Sequence, residues 1–124
     1  MKRIVSALVA VALCAFALVA PRPVAQAQTQ FEMNQTELKN YQKADAELNR
    51  VYARLMKKLD KEGAAKLKKA QRAWIAYRDL EMEFAADTAR GGSMSPMLHS
   101  GAGAQLTKDR IKDLNGYLAA YGGR

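Results

Sequence analysis

The 124-residue chain has one cysteine, Cys14, and it lies in an apolar N-terminal run, not in the body of the sequence. No disulfide can tie the body together, so its stability must come from packing. His99 is the only histidine, and no acidic or thiol residues surround it at metal-ligand spacing, so no metal centre is expected. The same scarcity leaves no nucleophile–histidine set; Glu81 and Glu83 read as solvent-facing helix carboxylates. Neither an enzyme nor a bound cofactor is expected. Strand alternation, internal repeats and low-complexity tracts are also missing.

What is present begins with an export signal. Lys2 and Arg3 precede the almost wholly apolar residues 4–20, Pro21 ends the run, and Ala25-Gln26-Ala27 places small residues at the two positions a signal peptidase reads. Residues 1–27 are read as a secretory signal peptide and 28–124 as one small domain. Seventeen residues are short for a membrane anchor, and Leu13 before Cys14 does not suit a lipoprotein signal. The expectation is a periplasmic or secreted protein with no stable membrane span after signal cleavage.

The body reads as helix throughout. Thr29-Gln30-Phe31-Glu32 fits a capping box at a helix start. Leu38, Tyr41, Asp45, Leu48, Tyr52, Leu55 and Leu59 then step by threes and fours, an amphipathic stripe broken once by Asp45. Residues 60–63 suggest a turn, with Gly63 as the breaker. A second stripe runs through Leu67, Ala70 or Gln71, Trp74, Tyr77 or Arg78, Glu81, Phe84 and Ala85, ending near Arg90. A short turn forces the two helices antiparallel. In that register Tyr52 meets Trp74, and Asp45 comes within reach of Arg78. Residues 91–97 form a non-helical connection, with Ser95-Pro96 suited to open another helix. Leu106, Arg110, Ile111, Leu114, Tyr117 and Leu118 stripe that helix until Gly122-Gly123. The expected fold is all-α: a long antiparallel helical hairpin with a third packed C-terminal helix.

Three groups of residues could carry function. Asp45 and Arg78, with Asn49 and Gln71, form an expected polar network, read as a structural device that fixes helix register. Trp74 and Tyr52 are read as core. Gly91, Gly92 and Ser93, with Met94 and Met97, could offer backbone amides, a hydroxyl and adaptable thioethers to a partner, or serve only as a connector. Between Arg50 and Arg72 nine basic residues face two acids. There Lys57, Lys58, Lys61, Lys66, Lys68 and Lys69 could hold an anionic envelope polymer or lipid headgroups, or simply keep the face solvated. Nucleic acid does not suit an exported chain without interleaved exposed aromatics.

These residues give the chain a resemblance to a known family. Gln30-x-Glu32-Met33-Asn34, Asp45-x-x-Leu48-Asn49-x-x-Tyr52-x-x-Leu55, Ala70-Gln71-Arg72-Ala73-Trp74-Ile75-x-Tyr77-Arg78-Asp79, Gly91-Gly92-Ser93 and Leu106-Thr107-x-x-Arg110 with Leu114 occur in order. With them the chain resembles the LprI-type lysozyme inhibitors, small exported helical domains. Members usually carry cysteines near the positions of Thr36, Met82 and Ala102, and this chain has none there.

The resemblance implies a protein that binds a target, such as lysozyme or another envelope protein, without catalysis. Animal-type lysozymes are basic, so contact would have to use the less basic end, where Glu81, Glu83, Asp87 and the glycine loop lie. The alternative is a periplasmic envelope-binding module that uses the basic helical tip on anionic glycan or lipid. A third reading is a helical domain that pairs with another envelope protein or with itself.

Overall fold

The computed structural model describes residues 22–122; most of the expected signal segment, Cys14 included, lies outside them. Three long helices follow one another: α1 (Arg22–Met56), α2 (Lys61–Asp87) and α3 (Ser95–Gly122). No strand occurs among the described residues. The fold is all-α.

The helix ends differ from the sequence expectation in two places. Thr29 is no cap: it lies two turns inside α1, and its hydroxyl donates to the Ala25 carbonyl at 2.9 Å. Back-bonding of this kind slightly disfavours Thr in a helix interior, and here the long helix tolerates it. Gly63 is no breaker either. α1 ends at Met56, and Asp60 caps α2 by accepting the Gly63 amide at Oδ1, 2.7 Å away. A good N-cap outweighs the weak helix preference of a glycine in the first turn.

The packed centre consists of Leu48, Val51 and Leu55 from α1 with Leu114 from α3. Tyr52, Leu59, Leu67, Trp74, Ile111 and Leu118 close around it. The inward face of α2 runs one position off the expected stripe at its far end. Met82 is buried, whereas Tyr77 and Phe84 are exposed. The inward residues of α2 are thus Gln71, Arg78 and Met82, a spacing of seven and four.

The seam itself is also different. α3 packs closely along α1 and against α2, while α1 and α2 approach each other little at the backbone. The hairpin is therefore splayed, and the third helix fills it. The reason is the first half of α3, where Ser100, Gly103, Ala104 and Thr107 are buried. Small side chains let α3 sink between its neighbours. A Cβ on Gly103 would lie 2.6 Å from Met82 Cε on α2 and 3.0 Å from Tyr41 Cδ2 on α1. Met82 thus lies at this close approach, and Ala102 stands beside it.

Candidate functional site

The loop between α2 and α3 docks on the first half of α1. Successive short turns shape it: Arg90 N–H to Asp87 C=O, Gly92 N–H to Ala89 C=O and Ser95 N–H to Gly92 C=O. Gly91 takes φ +74°, a conformation that favours glycine. Arg90 and Asp87 brace the loop through two hydrogen bonds, at 2.6 and 2.8 Å. Asn34 Nδ2 donates to the Ser93 carbonyl at 3.1 Å. Gln30, one turn earlier, donates to Asn34 Oδ1 at 3.0 Å and approaches Met97 Sδ at 3.9 Å. The Ser95 hydroxyl donates to the Ala86 carbonyl at 3.3 Å, pinning the start of α3 to the end of α2.

Between the loop and α1 lies an open cleft of about 630 Å³, with Phe31 and Asn34 on one side and Gly92, Ser93 and Met94 on the other. Phe31 is 61% exposed and Met94 46%. Two large apolar side chains thus stand in water beside a braced, backbone-rich loop. Such surface is what a protein partner can cover. The carboxylates also gather here. Residues 28–49 and 73–105 carry eight acids against four basic residues, whereas 50–72 and 106–122 carry twelve basic residues against four acids. The two ends of the molecule have opposite charge.

Midway along, Arg78 is buried. Its Nη1 donates to Asp45 Oδ1 and its Nε to Asp79 Oδ1, each at 3.0 Å. Its guanidinium lies 5.4 Å from the Tyr41 ring centroid and 5.2 Å from that of Trp74. Arg110 covers Trp74 as well, at 5.9 Å, and donates through Nε to Gln71 Oε1 at 3.0 Å. Burial alone would lower the Arg78 pKa, but hydrogen bonds to Asp79 and Asp45 and the nearby Tyr41 outweigh it and hold the guanidinium above its ordinary value. Burial raises the pKa of Tyr41; Arg78 opposes the rise, and Asp45 and Asp79 add to it.

The structure therefore brings Asp45 and Arg78 together and seats Gln71 against Arg110 from α3. Asn49 is a correction: it is exposed and stands apart from the network. Gly91, Gly92, Ser93 and Met94 form the docked loop, and Met97 follows in the first turn of α3, with its sulfur near Gln30. The six lysines of the tip are all exposed around the α1–α2 turn. Missed by sequence reasoning were Arg110 as a second stacked guanidinium and Phe31 as an exposed ring. The Leu-Thr-x-x-Arg motif pointed at the first, and an aromatic residue off the inward stripe of α1 pointed at the second. No group of acidic, histidine or cysteine side chains among the described residues could hold a metal ion.

A family model described as lysozyme inhibitor LprI matches residues 22–114. The chain belongs to the LprI family. An uncharacterized protein of Rhizobium meliloti (strain 1021) is similar at 46% identity, over 72% of this chain and 73% of its own length. No solved structure matches the chain. The LprI family is one of inhibitors, and no helix among the described residues is long and apolar enough to cross a membrane. Two segments of the LprI resemblance far apart in sequence, Gln30 to Asn34 and Gly91 to Ser93, meet at the acidic end through the Asn34–Ser93 hydrogen bond.

Proposed function

We propose that the protein is an exported inhibitor that binds a basic target protein, a lysozyme of the animal type, with its acidic loop end. The reading is carried by the docking of the Gly91–Ser93 loop on Gln30 and Asn34, which fixes a backbone-rich edge beside the exposed Phe31 and Met94. A braced loop loses little entropy on binding, and flanking apolar side chains supply the desolvated centre of an interface. The surplus of carboxylates at this end attracts a cationic partner, while the lysine tip points away from it. Catalysis plays no part: the protein acts by covering its target.

Export completes the reading. Cleavage after Ala27 removes Gln26 and Ala27, which line the outer edge of the cleft. It also removes the Ala25 carbonyl that Thr29 engages. The freed Thr29 hydroxyl then becomes available to cap the shortened α1, and the wall above Phe31 opens. Lysis of bacterial cell walls by lysozyme, followed with and without the exported protein, tests the proposal. Inhibition is expected at micromolar concentrations; full lysozyme activity at micromolar excess of the protein would remove it.

A further inference from the structure

A second depression lies at the opposite, basic end, in a groove of about 280 Å³ between the α1–α2 turn and the last turns of α3. Its floor is apolar, made by Leu55, Leu59 and Leu67, and its walls are cationic and aromatic, with Lys66, Arg110 and Tyr117. Lys66 is exposed and held only by the surface carboxylate of Glu62, at 2.6 Å. Tyr117 is 53% exposed, and Tyr121, one turn on, lines the same groove. A leucine floor rimmed by lysine and tyrosine has the layering of side chains at a lipid–water boundary, apolar below and amphipathic at the edge. The surroundings strengthen it, since residues 50–72 and 106–122 at this end carry twelve basic residues and four acids.

We propose that this groove binds an anionic amphiphile with a single acyl chain, the chain on the leucine floor and the headgroup on the lysine rim. The volume is at the lower bound for small-molecule pockets, about 300 Å³, which suits one chain and not two. The site is separate from the acidic loop end and stands or falls independently of it.

Trp74, the only tryptophan, is one helical turn from Ala70 on the groove wall and lies beneath the Arg110 guanidinium. Its emission therefore reports occupancy. The probe is dodecyl phosphate below its micellar concentration, with inorganic phosphate and dodecyl maltoside as separate arms. A saturable change with dodecyl phosphate is expected, at an affinity at least about tenfold above either control. Ala70→Phe, which fills the groove from an exposed position, should weaken binding by about tenfold, and Lys66→Glu by about threefold. Tyr117→Ser is a second wall variant on the exposed side and should weaken it likewise. Any association with the apolar N-terminal run is common to all variants, so the comparison isolates the groove. Equal binding by inorganic phosphate would reduce the site to a cationic patch, and equal binding by dodecyl maltoside would remove the role of charge. Unchanged binding by both Ala70→Phe and Tyr117→Ser would place the amphiphile elsewhere. Each of these results overturns the proposal.

Discussion

Arg78 holds two carboxylates and two aromatic rings, and its partners differ greatly in their access to water. Its own side chain is 9% exposed, against 43% for Asp45 and 56% for Asp79. The arginine is therefore the costly member to remove, because its deletion strips Tyr41 of its cation and leaves Trp74 with Arg110 alone, while both carboxylates can still hydrate. Arg78→Ala is expected to cost about 2–3 kcal/mol, and Asp45→Asn no more than about 1 kcal/mol, since Asp79 remains. Urea unfolding followed by Trp74 emission separates the two; equal losses would mean that the ion pair, and not the stacking, dominates. Tyr41 gives a pH signature. Its folded pKa is raised above the ordinary 10.0, so the stability it contributes is complete below pH 10 and is lost as pH rises through the folded value. Stability should therefore fall on the alkaline side of pH 10, and Tyr41→Phe should flatten that fall in the same unfolding measurement.

At the scale of the elements, the close approach of α3 is the main structural device. Gly103→Ala would force a Cβ against Met82 and Tyr41 and is expected to destabilise by about 1–3 kcal/mol. Met82 is a flexible side chain, so the cost in a Met82→Ala background should be clearly smaller, a coupling that a double-mutant cycle measures. Additive losses would show that Tyr41 or the backbone, and not Met82, sets the limit. This device was hard to see in the sequence. The stripes of leucines and aromatics foretold three helices, the antiparallel order and the meeting of Asp45 with Arg78, because hydrophobic period and turn length fix those features. The buried face of Ser100, Gly103, Ala104 and Thr107 carries no hydrophobic period, so the sequence reads it as weak helix. For the same reason α1 and α2 were expected to pack closely along their length, where α3 takes up most of the backbone packing and long side chains such as Arg78 bridge α2 to α1. The glycine loop stood out by composition, but its docking on Gln30 and Asn34 joins residues about 60 positions apart, which no local pattern encodes.

The whole described molecule has its charge divided between two ends. Its braced, acidic end carries the loop, the cleft and the exposed Phe31 and Met94; its basic end carries the lysines and the leucine-floored groove. Membership of the LprI family supports the inhibitor reading, and the proposal that the acidic end makes the contact rests on the charge division, because a basic partner is repelled by a basic surface. The most direct test is the affinity for a basic animal-type lysozyme of two charge-reversed variants with their folds intact. One carries Glu32→Lys with Glu83→Lys, both exposed near the loop; the other carries Lys57→Glu, Lys58→Glu and Lys61→Glu at the tip. If the acidic loop end makes the contact, the first binds at least about tenfold more weakly and the second binds as well as the parent or better. Weakening by the tip variant alone, with the loop-end variant unchanged, would contradict it.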